Sequence, residues 1–188
     1  MVYEAEKGNL TIALAGDTML TRKLIPFKEE KFLQLREILC AADAAFANLE
    51  GTVHAWDEGT PGITQGTFMT TDPKLLDDLK WLGVNLVSCA NNHAFDYGED
   101  CVLANLRHLD AAGLTHAGTG KNLAQARAPS YLDTPNGRVG AAKNLPELQK
   151  LFFLERNQFT RQHGIARQSD REISSFSIVR HVSSPSAI

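Results

Sequence analysis

The chain has 188 residues, of which 43% are hydrophobic and 22% charged, enough apolar material for one domain with a sizeable core and too much for a chain disordered throughout. A formal net charge of -3 and an isoelectric point near 6.1, with no segment that gathers a basic stripe, argue against a nucleic-acid partner. No apolar run approaches a membrane span, and the polar, acidic residues 1–8 lack the basic and apolar regions of a signal peptide, so the expected location is cytoplasmic.

Taken in chain order, Thr11, Ile12, Ala13, Leu14 and Ala15 form a hydrophobic run ending at Gly16 and Asp17, which reads as a buried parallel strand. Residues 29–42 then place Phe32, Leu35, Ile38 and Leu39 at helical spacing, with Glu29, Glu30, Lys31 and Arg36 for the wet face, as a crossover helix would. A second strand, Ala45, Phe46 and Ala47, runs into Asn48, Leu49 and Glu50. Residues 52–67 hold Gly59, Pro61, Gly62 and Gly66 without sustained period and read as a long surface loop, of the kind that gates substrates.

Asp72 as N-cap and Pro73 at the first helical position open a second helix carrying Leu75, Leu76, Leu79 and Leu82, which Gly83 ends. The third strand, residues 84–90, leads into Asn91, Asn92 and His93. A third helix over residues 99–112 presents Val102, Leu103, Leu106 and Leu109 before Gly113. A short strand at 114–117, a helix at 122–127, a turn at Pro135, Asn136 and Gly137, and a strand at 138–142 follow. Residues 9–142 thus read as the organised domain. Residues 143–188 change character: an amphipathic helix with Leu148, Leu151, Phe152 and Phe159, then a polar, serine-rich, poorly ordered tail from Gly164.

Helices between parallel strands impose right-handed crossovers, which bring the carboxyl ends of the strands to one sheet edge, where α/β proteins place their ligands. Asp17, Glu50, Asn92 and His93 are expected to meet there. Two carboxylates, a carboxamide oxygen and an imidazole suit a divalent cation and hydrolytic chemistry, because hard oxygens hold the ion while histidine serves the leaving group. Other readings stand beside these. Asp17 is either a cation ligand or a cap on the next turn; Glu50 either a ligand or a solvent-facing loop residue; Asp96 either the carboxylate that orients His93 or a cap on the third helix. Asn48 reads as structural, bonding the turn that presents Glu50, and His116 is a weaker candidate at the fourth strand. Gly113 and Gly118 have phosphate-loop spacing, but Thr119 stands where that loop needs lysine, so the reading fails. Cys40, Cys89 and Cys101, odd in number and without metal spacing, read as small buried hydrophobes in a reducing compartment.

Three blocks carry a resemblance: Gly16, Asp17, Thr18, Met19 and Leu20; Asn48, Leu49, Glu50 and Gly51; and Asn91, Asn92, His93, Asp96 and Gly98. Together with His116 to Ala126 they resemble the CapA family of capsule or poly-gamma-glutamate synthesis proteins, a branch of the calcineurin-like metallophosphoesterases. That resemblance implies an incomplete metallophosphoesterase-like α-β-β-α sandwich with a parallel sheet in its N-terminal part. It also implies Mn²⁺, Mg²⁺ or Zn²⁺ held by Asp17, Glu50 and Asn92, His93 and Asp96 as catalytic groups, and an anionic polymer or phosphoester as substrate. The superfamily's later histidine ligands have no counterpart here, and Met19 stands where many members carry histidine. A non-catalytic binding or assembly module, or an inactive truncated copy, is therefore the alternative expectation.

Overall fold

The computed structural model describes residues 9–62 and 66–143, together with the backbone of residues 176–181. It begins with β1 (Ile12–Thr18), α1 (Glu30–Ala41) and β2 (Ala44–Leu49), followed by the two-residue strands β3 (Thr52–Val53) and β4 (Thr70–Thr71). A 3₁₀ turn over Pro73–Leu75 leads into α2 (Leu76–Leu82), β5 (Leu86–Ser88), α3 (Gly98–Ala112) and β6 (Thr115–Ala117). Then come α4 (Leu123–Arg127), β7 (Ser130–Thr134), β8 (Gly137–Lys143) and β9 (Phe176–His181).

Four parallel strands form one sheet in the order β1-β2-β5-β6, as crossover helices between apolar strands require. Alternation along β2 divides its side chains between two cores. Ala45, Ala47 and Leu49 face a helical layer with Leu39, Leu76, Leu79, Leu82 and Leu109. Ala44 and Phe46 face the other way with Leu86 and Ala117, against Val139 and Ala141 of the antiparallel sheet β7-β8-β9. Helices, parallel sheet and antiparallel sheet are thus stacked as layers, an α/β fold of the expected class.

Local signals set the helix ends. The Asp72 carboxylate accepts from the Lys74 amide at 2.9 Å, Asn122 accepts from the Gln125 amide at 2.9 Å, and Gly83 and Gly113 close α2 and α3. Buried Asp78, at 3% exposure, accepts from the amides of Leu24 and Ile25 at 2.5 and 2.9 Å, which ties the segment after β1 to α2.

Several expectations need correction. The first strand is not buried: β1 is the edge of the four-stranded sheet, its residues are exposed or half-buried, and Leu14 is 69% exposed. Leu35 and Ile38 of α1 also face outward, since that helix packs through Leu39 and through Phe32 and Arg36 against Trp81. The stretch after Glu50 is not surface loop from its start: Thr52, Val53 and His54 are buried, with β3 paired to β4 and the Val53 amide bonded to Asn105 of α3 at 2.9 Å. Cys89 and Cys101 are buried, and burial pushes both thiols up to about 11, whereas Cys40 is exposed. Strand β9, which runs antiparallel to β8, falls in the stretch read as a poorly ordered tail. The amphipathic helix expected after Lys143 lies outside the described residues.

Candidate metal and proton-transfer site

The carboxyl ends of β1, β2 and β5 lie side by side, and the register of β1 against β2 decides which side chains meet there. Ile12, Ala13 and Leu14 pair with Ala44, Ala45 and Phe46, but Asp17 pairs with Asn48, so β1 carries one extra residue between Leu14 and Asp17. A bulge of one residue reverses the alternation of the strand. Without it Asp17 would fall opposite Leu49 and face the helical core; with it Asp17 stands beside Asn48 on the other side of the sheet. The Glu50 amide then donates to the carbonyl of Thr18 at 3.1 Å, which holds the end of β2 to the end of β1.

The side chains meet accordingly. The Asn48 amide nitrogen donates to Asp17 Oδ1 at 2.7 Å and to Glu50 Oε2 at 2.6 Å. Glu50 Oε1 lies 3.8 Å from His93 Nε2, and the opposite ring nitrogen, Nδ1, lies 2.8 Å from Asp96 Oδ2. Asp96 also accepts from the Met69 amide at 2.7 Å, so its carboxylate is held from two sides. Its role as a cap is not realised: α3 starts at Gly98, and its N-cap, Tyr97, makes no side-chain capping bond. Gly51 makes room for this arrangement. Its backbone lies at φ 115°, and a Cβ there would sit 2.9 Å from the Met69 carbonyl oxygen.

Asp17, Glu50, His93 and Asp96 are therefore brought together, while Asn92 stands exposed in the turn between Asn91 and His93. His116 is not at this edge; its Nε2 bonds Asp110 of α3 at 3.0 Å. His54 is a packing residue, buried against Tyr97 and bonded to the Thr70 hydroxyl at 2.9 Å. Asn91 belongs to the block that carries the resemblance, but the sequence assigns it no role of its own. In the structure its oxygen accepts from the His93 amide at 3.0 Å and its nitrogen donates to the Leu49 carbonyl at 2.7 Å, joining the histidine turn to the end of β2.

The donor set fits a hard divalent cation in part. Two carboxylates within hydrogen-bond reach of one nitrogen, with a carboxamide close by in sequence, offer the oxygen ligands that such ions prefer. Among the described residues, however, no group of three or more His, Cys, Asp or Glu side chains is placed to enclose an ion. No helix among them is long and apolar enough to cross a membrane.

Two curated relatives from Sinorhizobium fredii (strain NBRC 101917 / NGR234), uncharacterized proteins y4sH and y4uA, are each 36% identical to this chain over 132 residues. The match covers 69% of this chain and 29% of either relative, so the chain spans less than a third of the curated proteins it matches. Residues 11–169 match the family described as bacterial capsule synthesis protein PGA_cap, and since that is most of the chain, the chain belongs to this family.

Proposed function

We propose that this chain carries part of the catalytic edge of a capsule-polymer synthesis protein, a metallophosphoesterase-type site for metal-dependent hydrolysis of a phosphoester or an anionic polymer. The observation that supports it most is the linked set Asp17, Asn48, Glu50, His93 and Asp96 at the carboxyl edge of a parallel sheet. Asp17, Glu50 and Asn92 would hold Mn²⁺, Mg²⁺ or Zn²⁺, which when bound supplies Lewis-acid polarisation of the scissile group. In its imidazolium form His93 would donate the Nε2 proton to the leaving oxygen and return to the neutral Nδ1–H ring, whose orientation and tautomer Asp96 holds from the other side.

A second reading has an observation of its own. The described residues offer two carboxylates but no closed ligand cage, which favours a binding or assembly module that engages an anionic polymer or a partner through the same edge. Bound-metal analysis combined with a phosphoester assay separates the two. A divalent ion bound in stoichiometric amount with hydrolysis supports the enzyme; absence of both, with retained polymer binding, supports the module.

A further inference from the structure

Asn48 was read from sequence as a turn-forming residue, yet its amide nitrogen lies between the two carboxylates on which the proposed site rests. Both of its N–H bonds are used, on Asp17 Oδ1 at 2.7 Å and Glu50 Oε2 at 2.6 Å. Which end of the carboxamide carries the nitrogen is fixed from behind. Asn91 is 9% exposed, and its orientation is set twice: its oxygen faces the His93 amide at 3.0 Å and its nitrogen faces the Leu49 carbonyl at 2.7 Å. Turning it over would set N–H against N–H and oxygen against oxygen. The Asn91 nitrogen also reaches the Asn48 oxygen at 3.4 Å, so Asn48 must present its oxygen to Asn91 and its nitrogen to the carboxylates.

We propose that Asn48 is a positioning residue and not a cation ligand: a neutral double donor that holds Asp17 and Glu50 side by side, oriented through Asn91 by the turn that carries His93. Two carboxylates brought to one place repel each other. An amide shared between them offsets that repulsion without adding charge, and leaves Asp17 Oδ2 and Glu50 Oε1 outside this bridge. The value of this pairing for cation binding rests on the reading given under Proposed function; the pairing itself does not.

The test compares Asn48→Asp with Asn48→Leu in the full 188-residue chain treated with chelator, by melting temperature at low and high NaCl and with added MnCl₂. Both variants lose the donors, but only the aspartate adds a third negative charge. Asn48→Asp is expected to melt roughly 3 °C or more below Asn48→Leu at low salt. The gap should narrow in high salt, where charges are screened, and again with Mn²⁺. Adding Asp17→Asn to Asn48→Asp removes the extra negative charge and gives the new carboxylate one amide donor while it still faces Glu50, and should recover part of the loss even if the single variant fails to fold. Equal melting of the two variants at every salt concentration, or no recovery in the double variant, would overturn the proposal. If Mn²⁺ shifts no form, the native chain included, while the salt-dependent gap and the recovery persist, the cation reading fails and the role of Asn48 stands.

Discussion

Asp96 Oδ2 lies 2.8 Å from Nδ1 of His93 and 2.7 Å from the backbone nitrogen of Met69, so one carboxylate oxygen serves both the imidazole and the chain entering β4. An acceptor at Nδ1 holds the proton on that nitrogen in the neutral ring and leaves Nε2 facing Glu50. His93 in the native chain is therefore expected to populate the Nδ1–H tautomer, as read from its ¹⁵N chemical shifts. In Asp96→Ala the Nε2–H form should become prominent. An unchanged tautomer ratio would remove Asp96 from its orienting role.

The loop after β3 offers a pH signature. The Glu58 carboxylate accepts from the Ala55 amide at 2.6 Å and faces His108 Nε2 at 2.7 Å and Arg107 at 3.1 Å, while Gly59 packs against Cys101. The Ala55 amide first, then His108, lower the Glu58 pKa from 4.5 to about 2. A carboxyl group lowered on folding stabilises the fold above its unfolded value, and that contribution is lost as pH falls through the folded value. The stability that the native chain gains over Glu58→Gln from this carboxylate should thus shrink as pH falls from about 4.5 to 2. With the side chain 23% exposed, solvent screens part of the effect, and about 1–2 kcal/mol at neutral pH is expected from denaturant melts.

Gly118 tests the support beneath the asparagine turn. It lies at φ 106°, and a Cβ there would come within 2.5 Å of the Ala90 Cβ and 3.0 Å of the Ala90 nitrogen. Ala90 directly precedes Asn91, so the collision would push on the turn that orients His93. Gly118→Ala is expected to cost about 2 kcal/mol or more, from the left-handed backbone and the overlap together. Its effect on the His93 ¹⁵N shifts should exceed that of Gly16→Ala, since a Cβ at Gly16 meets nothing within 4 Å. Equal effects would place the strain elsewhere.

The layered α/β fold was legible because apolar strands, helical spacing and caps agreed: Asp72, Gly83, Gly113 and Asn122 each act as their residue type predicts. Topology alone brought the ends of the strands that carry Asp17, Glu50 and His93 to one sheet edge, but not the side of the sheet on which Asp17 stands. What escaped depends on tertiary pairing. The bulge that turns Asp17 toward Asn48 leaves no trace in composition, since Ala15 and Gly16 fit a regular strand as well as a bulged one. The strands β3 and β4 have two residues each, too short to show alternation, and are held by Asn105 and by each other. Exposure of Leu14 and Ile38 could not be read from periodicity, which identifies an apolar face but not what covers it.

The last prediction separates the ligand from the proton donor. Asp17 is tied to Asn48 and has no contact with His93 among the bonds described, whereas His93 is held by Asp96 through the nitrogen opposite the one that faces Glu50. If the carboxylate acts through a bound ion, Asp17→Ala should lower metal occupancy and hydrolysis together in an active assembly or longer homologue. If the imidazole acts by proton transfer, His93→Ala should reduce turnover by roughly 10²-fold while metal content stays near native. Metal analysis and single-turnover kinetics on the same preparations give both quantities. Equal metal loss in the two variants would make His93 a ligand, and unchanged hydrolysis in both would move the chemistry away from this edge and leave it a binding role.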